Sequence, residues 1–322
     1  MGTLPEAIAG ILRTAPDALL VCHVAPDGDC LGSALALALA CEACGVRAVV
    51  GSADGVPEPY RNLPGAERVI AAPPEERHSV GVALECSSLD RAGTFAPALE
   101  RCRTLINIDH HLSNTGYGNL IYWDTAAAAV GELVYAVIRA MGVAVTPEIA
   151  QCLLTAIVTD TGSFRFPNTT PATLRLAAEL MEHGASVHAV VERVYETRSA
   201  AALRLLGQAL SRLAVSADGR VAWTVITPQM LAETGAGPED VTGIVGMLRQ
   251  IRGVKIALVF EDGAGGVRVS IRSRDGVRAN VVAEAFGGGG HQGAAGFTLP
   301  GPLEEIVART MAVVEKELRA GA

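Results

Sequence analysis

Short apolar runs alternate with amphipathic stretches along the first half of the chain. The runs ALLVCHV, RAVVG, GVALEC and TLINID are rich in valine, leucine and isoleucine, and a helical stretch follows the first of them from about Leu31. Runs of this length that are separated by helical segments are typical of βα units. The pattern therefore predicts an α/β domain built on a parallel sheet.

The pattern changes in the second half of the chain. From Ala126 to about Ser211 it is almost wholly helical, with Pro147 and Pro171 near predicted helix starts. Beyond Gly219 the runs RVAWTVIT, VKIALVFED and VRVSIRS predict strands, and PEDVTGIVGMLRQI and LEEIVARTMAVVEKEL predict amphipathic helices. We expect a first domain over residues 1–190, a helical connector over 191–212 and a smaller α/β domain over 213–322.

Composition narrows the range of partners. With 322 residues, half of them apolar, the chain is long enough to bury two cores. The net charge of -8 and the pI near 5.4 argue against general electrostatic binding of long duplex nucleic acid. Small or short substrates are favoured.

The N-terminus and the cysteines indicate a cytoplasmic protein. The first residues lack a basic region followed by a long apolar core, and the apolar stretch over residues 31–40 is too short to cross a bilayer, so no membrane partner is expected. Seven scattered cysteines do not resemble a disulfide framework. Cys41 and Cys44 form a lone CxxC in an Ala/Leu-rich helical pattern, which favours core packing over a zinc or redox site.

Acidic and imidazole groups follow several of the predicted strands. In parallel sheets, ligands bind at the edge formed by the carboxyl ends of the strands. The groups expected at that edge or at the end of a nearby helix are His23, Asp27, Asp29, Glu85, Asp109, His110, His111 and Asp160.

Crowded carboxylates resist deprotonation unless a cation neutralises them, so this set is more economically a metal site than an acid/base pair. It has enough ligands for two ions, and mixed imidazole and carboxylate ligands suit manganese, cobalt, iron or magnesium better than a thiolate-rich zinc site does. Taken singly, the pieces have simpler readings: DGD is most often a turn with Asx caps, and Asp160 could merely end a helix. The placement of all these acidic and imidazole groups at strand or helix ends is poorly explained by coincidence.

Three segments resemble the motifs of the DHH phosphoesterases. HVAPDGDCLGS, DHH and VTDTGSFRF resemble the first, third and fourth motifs of that family, and FGGGGHQGAAGF resembles the glycine-rich signature of the accompanying DHHA1 domain. With VSIRSR included, the resemblance spans nearly the whole chain. The length and the motif set are similar to those of the NrnA-type oligoribonucleases and phosphatases.

The resemblance implies roles for individual residues. His23 and Asp27 would bind one divalent ion, and Asp29, His110 and Asp160 would bind a second. Mn²⁺ is the preferred ion, with Mg²⁺ or Co²⁺ as alternatives. His111 would face the substrate phosphate, and Asp109 would hold His110 in its tautomer or touch the metal. Replacing Asp29 or His110 by alanine is expected to remove activity while leaving the fold intact.

One position departs from the family pattern. Where a segment like ALDCSDLDR normally supplies an aspartate that bridges both metals, this chain has ALECSSLDR, with Glu85 in that place. We expect Glu85 to bridge if its strand sits farther back, since the side chain is longer by about 1.5 Å.

The glycine run predicts a phosphate site in the second domain. Consecutive glycines allow the backbone to approach a phosphate and to present several N–H groups. Arg272 is favoured over Arg274 as a bidentate partner. The expected phosphate-binding residues are Arg272, Gly288, Gly289, Gly290 and His291, which would hold the other end of the substrate.

The resemblance implies a hydrolase that acts on very short oligonucleotides, including linear dinucleotides such as pApA, and on 3′-phosphoadenosine 5′-phosphate. A cyclic-dinucleotide phosphodiesterase and a weakly catalytic nucleotide-binding protein stay open as alternatives, and so does a homodimer. A processive nuclease of the RecJ type would be expected to carry further nucleic-acid-binding domains.

Overall fold

The chain folds into two units, the first ending at Thr197 and the second beginning at Arg198. The computed structural model describes residues 3–241, 243–274 and 276–320, and at His291 it describes the backbone only. Within these ranges, every helix falls short of the length and apolarity that a membrane span requires.

The first unit is built on a five-stranded parallel sheet in the order β2-β1-β3-β4-β5. The α/β prediction is thus confirmed, and the strands match the apolar runs to within a few residues, with β5 added at the edge. The strands are β1 Asp17–Cys22, β2 Arg47–Gly51, β3 Val80–Leu84, β4 Thr104–Asp109 and β5 Leu120–Trp123.

Helices cover the sheet of the first unit and bring Asp29 close to Asp160. They are α1 Leu4–Thr14, α2 Gly28–Ala43, α3 Ala96–Glu100, α4 Val130–Met141, α5 Pro147–Asp160, α6 Pro171–Glu182 and α7 Val187–Val191, followed by a π-helical turn at Glu192–Glu196. Helices α2 and α5 pack closely: a Cβ on Gly32 would lie 2.4 Å from the Cys152 carbonyl oxygen. This close approach places the start of α2 beside the end of α5.

The strand order creates a switch point between β1 and β3. Strand β2 lies on one side of β1, and β3 lies on the other side. Ligands bind at such points, beyond the carboxyl ends of the strands. The loop after β1 carries His23 and Asp27, and Glu85 directly follows β3.

The second unit has a six-stranded mixed sheet in the order β10-β11-β9-β8-β7-β6, in which only β7 and β8 run parallel. Its strands are β6 Ala214–Val215, β7 Val221–Ile226, β8 Ile256–Gly263, β9 Gly266–Ser273, β10 Gly289–His291 and β11 Ala294–Leu299. Its helices are α8 Ala200–Ser211, α9 Pro228–Thr234, α10 Ile244–Leu248, α11 Ala279–Glu284 and α12 Leu303–Ala320.

One predicted helix of this unit is broken. The stretch over residues 238–251 forms a 3₁₀ turn at Pro238–Val241 and then the short helix α10. Gly243 separates the two with a φ of 91°, a backbone conformation that L side chains rarely adopt. The amphipathic pattern was therefore a poor guide to helix length at this point.

Candidate metal centre

The first ligand group surrounds His23, at the carboxyl end of β1. Its Nε2 lies 3.8 Å from Asp27 Oδ1 and 3.7 Å from Glu85 Oε2. Its Nδ1 lies 2.8 Å from the Val24 carbonyl oxygen, a contact that places the ring proton on Nδ1. The lone pair of Nε2 is therefore directed at the two carboxylates.

The second group repeats this arrangement around His110, just after β4. Nδ1 of His110 lies 3.0 Å from the Ala127 carbonyl oxygen, and Nε2 lies 3.7 Å from Asp160 Oδ2. Nε2 is buried, and no hydrogen bond reaches it from the described residues. Asp29 and Glu85 complete the group, whose ligand atoms all lie within 4.8 Å of one another.

The separations between ligand atoms suit ions better than hydrogen bonds. A hydrogen bond between imidazole and carboxylate would bring the two atoms to about 3 Å. Atoms that each bind one ion at about 2.1 Å are instead separated by about 3 to 4.2 Å. The distances of 3.7 and 3.8 Å in both groups fall in this second range.

Glu85 belongs to both ligand groups, and to a third set of neighbouring ligand atoms with His110 and His111. Its side chain is buried, and its Oε2 has no hydrogen-bond partner in the described part of the chain. Its backbone has a φ of 59°, which costs about 1 kcal/mol for a residue other than glycine. A strained backbone and an unsatisfied buried carboxylate at one residue are typical of a functional position.

The electrostatics of the centre also favour a cation. Burial, and then the charge of Asp160, raises the pKa of Asp29 to about 8, and burial raises the pKa of Asp160 to about 6. Burial and then Asp27 hold the pKa of Glu85 well above its usual range. Burial acts in the same sense on Asp27, but contact with His23 outweighs it and lowers the pKa of Asp27 to about 2.

These shifts predict a pH-dependent stabilisation by metal. The raised pKa values mean that the metal-free fold binds more protons than the unfolded chain between about pH 4 and pH 8, so its stability falls as pH rises. A divalent ion replaces those protons and removes the cost of ionisation. In thermal melts, we expect Mn²⁺ to raise Tm more at about pH 8 than at about pH 5. An equal or larger rise at the lower pH would contradict this account.

Asp109 takes a different position from the one expected. Its Oδ1 accepts a hydrogen bond of 2.7 Å from His111 Nδ1 and one of 2.8 Å from the His110 backbone N–H, while Oδ2 accepts from Asn114. The expectation that Asp109 holds the His110 ring is corrected, because the Ala127 carbonyl makes that contact. Asp109 orients His111 instead, and it is absent from the ligand groups found among the described residues.

Asp29 is both a member of the second ligand group and the cap of a distant helix. Its Oδ2 accepts a 2.6 Å bond from the Val130 N–H, and its Oδ1 accepts from the Gly131 N–H at 2.9 Å and from the Ser33 hydroxyl at 3.1 Å. Val130 and Gly131 begin α4, whose N–H groups at this end have no partner within the helix. The carboxylate thus links the metal centre to α4.

Asp160 is the last residue of α5, and the chain turns sharply after it. Gly162, Ser163 and Phe164 all have φ between 54° and 62°, and the Phe164 N–H donates to Thr161 Oγ1 at 3.0 Å. A run of left-handed residues is unusual outside glycine and tends to occur at functional sites. The strain here fixes the backbone next to Asp160.

Glu85 can be tested by shortening its side chain. Aspartate tolerates a positive φ better than glutamate does, so we expect Glu85→Asp to keep the bound metal and to leave Tm unchanged or higher. Glu85→Ala should lower the metal content, because it removes the carboxylate that the two ligand groups share. Metal content after dialysis, measured by mass spectrometry, distinguishes the two. The exposed Glu67→Ala is a matched control, and unchanged metal content in Glu85→Ala would remove Glu85 from the ligands.

In the second unit, the two arginines of the SIRSR segment have different surroundings. Arg274 donates to the carbonyl oxygens of Val254 at 2.6 Å and Ile251 at 2.9 Å, so it holds the backbone. Arg272 lies in a cavity of about 90 Å³ together with Arg268 and Ser270. Burial and then the charge of Arg249 lower the pKa of Arg272, an environment that an anion would relieve.

The glycine run is explained partly by packing. A Cβ on Gly288 would lie 2.3 Å from the Gly296 carbonyl oxygen, and one on Gly290 would lie 2.5 Å from that of Ala294. The Gly288 N–H already donates to the Ala283 carbonyl, so the expectation that it points at a phosphate is corrected. Gly289 has open space where a Cβ would stand. The side chain of His291 lies outside the described residues.

Sequence reasoning missed several residues of the first unit that contact the site. Arg91, in the same segment as Glu85, lies 3.3 Å from His23 Nδ1, and Asn168 donates to the carbonyl oxygens of Ala128 and Asp160. Cys30 is absent from the predicted metal ligands, although it stands inside the first quoted motif and its thiol lies in the first ligand group. Cys30 follows Asp27 by three residues at a predicted helix start, and residues three apart lie on the same face of a helix, so this spacing could have indicated the contact.

Comparison with known proteins gives matches along both units. Residues 18–157 match the DHH family, N-terminal domain, and residues 218–319 match the DHHA1 domain. A bifunctional oligoribonuclease and PAP phosphatase NrnA from Thermus thermophilus is 36% identical over 98% of this chain and 94% of its own. The protein of the same name from Bacillus subtilis is 29% identical over 86% of this chain and 87% of its own.

A solved structure is similar over the whole chain. The exopolyphosphatase-related protein from Bacteroides fragilis superposes with a TM-score of 0.92 and 25% identity, covering 97% of this chain and 96% of that one. RecJ from Thermus thermophilus, with a TM-score of 0.55 and 15% identity, shares the fold.

Proposed function

This chain belongs to the DHH family and carries a C-terminal DHHA1 domain, and from that premise we propose that it is a metal-dependent phosphoesterase. Its substrates are very short oligonucleotides, including linear dinucleotides such as pApA, and 3′-phosphoadenosine 5′-phosphate. The names of the relatives from Thermus thermophilus and Bacillus subtilis support this choice of substrates. Seven unpaired cysteines support a cytoplasmic location.

The observation that carries the proposal is the sharing of Glu85 by two ligand groups. Two divalent ions held there, with Mn²⁺ preferred for mixed imidazole and carboxylate ligands, would activate a water for in-line attack and offset charge on the phosphate. We assign His23, Asp27 and Glu85 to one ion and Asp29, Glu85, His110 and Asp160 to the other.

The remaining residues of the site position the substrate. Asp109 holds His111 at Nδ1, so Nε2 is the ring atom that we assign to an oxygen of the scissile phosphate. The Trp123 indole N–H donates to the His111 carbonyl at 2.8 Å and holds the backbone at His111. In the second unit, we assign Arg272, Gly289, Gly290 and His291 to a second phosphate of the substrate.

A panel of substrates tests the function. With Mn²⁺ present, the purified protein is expected to hydrolyse pApA, a trinucleotide RNA and 3′-phosphoadenosine 5′-phosphate faster than a twenty-nucleotide strand, because its acidic charge gives long polyanions no general attraction. Excess chelator should abolish all of these reactions.

Other outcomes of the panel favour other functions. Faster hydrolysis of cyclic di-AMP than of pApA would make the protein a cyclic-dinucleotide phosphodiesterase. Equal or faster degradation of the twenty-nucleotide strand would indicate a processive nuclease. Binding of pApA without turnover would indicate a nucleotide-binding protein, and full activity in chelator would overturn the metal mechanism.

A further inference from the structure

A buried thiol stands among the ligands of the first ion. We propose that Cys30 is a fourth ligand at the site of His23, Asp27 and Glu85, and that it lets Zn²⁺ close this site in an inactive form. The inference rests on the proposed metal centre and adds to it a thiolate donor, which increases the preference of the site for Zn²⁺ over Mn²⁺.

The position of the thiol follows from the start of α2. Asp27 caps this helix, and its Oδ1 accepts the Cys30 N–H at 3.1 Å. Cys30 Sγ lies 3.7 Å from the Asp27 carbonyl oxygen, and the residue is fully buried. Capping therefore fixes Asp27 and the thiol together, on the same side of the first helical turn.

The other members of the group also favour a bound cation. Sγ of Cys30, a nitrogen of His23 and carboxylate oxygens of Asp27 and Glu85 all lie within 4.8 Å of one another. Glu85 is 3% exposed, yet its Oε2 accepts no hydrogen bond from the residues that the structure describes. A buried carboxylate oxygen without a partner carries a large cost that a cation at this point would remove.

The donor set distinguishes between metals. One thiolate, one imidazole and two carboxylates complete the tetrahedral coordination that Zn²⁺ prefers, and zinc binds such donors more tightly than manganese does. The thiol proton would be released to solvent on coordination of the ion.

Manganese and magnesium prefer oxygen ligands and leave the thiol uncoordinated. With His23, Asp27 and Glu85 as its protein ligands, such an ion would keep a coordination position for water or substrate, as a catalytic site requires. With zinc, four protein ligands fill the coordination sphere and exclude water. The same site is thus active with a hard ion and blocked by a softer one.

Two neighbouring thiols provide matched controls. Cys22 Sγ donates to the Cys30 carbonyl at 3.4 Å, and Cys86 Sγ donates to the Leu84 carbonyl at 3.5 Å. Both residues are buried close to the centre, and neither belongs to a ligand group in the described ranges. They share burial with Cys30, but their sulfur atoms lie outside the ligand groups.

Cobalt(II) absorption spectroscopy tests thiolate ligation directly. The wild-type protein loaded with Co²⁺ is expected to show a thiolate-to-cobalt charge-transfer band in the near ultraviolet beside the visible d–d bands. Cys30→Ala and Cys30→Ser should lose the charge-transfer band and keep d–d bands, whereas Cys22→Ala and Cys86→Ala should keep both. Thermal melts of each variant establish that it is folded.

Zinc titration of the manganese-activated enzyme provides the second readout. Cys30→Ala should need at least about tenfold more Zn²⁺ for half-inhibition, because it loses one of four ligands. Bound cobalt without a charge-transfer band in the wild type, or an unchanged band in both Cys30 variants, would overturn the role of Cys30 and leave the metal centre standing. Failure to bind cobalt at all would overturn both.

Discussion

Replacing His110 by alanine is expected to lower kcat for pApA by about a thousandfold or more while leaving the protein folded. The ring supplies Nε2 to the second ion site, where this atom lies 3.7 Å from Asp160 Oδ2 and makes no hydrogen bond in the described part of the chain. Its loss misplaces the ion that activates the water and offsets phosphate charge. Among the described residues, the ring makes one hydrogen bond, to the Ala127 carbonyl, and its loss costs about 1 kcal/mol.

Initial rates at saturating Mn²⁺, measured together with thermal melts, check this expectation. His188→Ala is a matched control, because that histidine is exposed on α7 and lies in none of the ligand groups. A rate within tenfold of wild type in His110→Ala would remove His110 from the metal ligands. A large fall in rate that accompanies a large fall in Tm would show a structural role instead.

The sequence located the residues of this centre better than their contacts. Apolar runs predicted β1 to β4 because buried parallel strands read as continuous hydrophobic segments. The rule that ligands collect beyond the carboxyl ends of such strands then placed His23, Glu85 and His110 at one edge. Strand β5 was missed because three of its four residues are only partly buried and the fourth, Trp123, is exposed.

Contacts between distant segments could not be predicted in this way. The bond from Asp29 to the start of α4 joins residues 101 apart, and no local pattern encodes it. Asp109 precedes both histidines, so spacing alone could not decide which ring it holds. The glycine run was interpreted as a phosphate cradle because packing of Gly288 against Gly296 depends on strand pairing that the sequence does not display.

The link between Asp29 and α4 separates two variants that the sequence treats alike. We expect Asp29→Ala to abolish activity as His110→Ala does, but also to lower the free energy of unfolding by about 2 to 4 kcal/mol. The side chain is fully buried, and its removal leaves the N–H groups of Val130 and Gly131 and the Ser33 hydroxyl without their acceptor. Relief of the cost of burying the carboxylate, and then of its repulsion from Asp160, offsets part of this loss in the metal-free protein.

Asp29→Asn distinguishes the two roles of this carboxylate, because it keeps one oxygen acceptor for the helix N-terminus and loses the negative charge. Urea unfolding of the metal-free proteins should rank wild type above Asp29→Asn and Asp29→Asn above Asp29→Ala, while both variants are inactive. If Asp29 were a metal ligand with no structural role, Asp29→Asn and Asp29→Ala would both be as stable as His110→Ala. Because a fall of this size is a large fraction of the stability of an ordinary domain, the capping role predicts that Asp29→Ala is recovered in much lower soluble yield than His110→Ala.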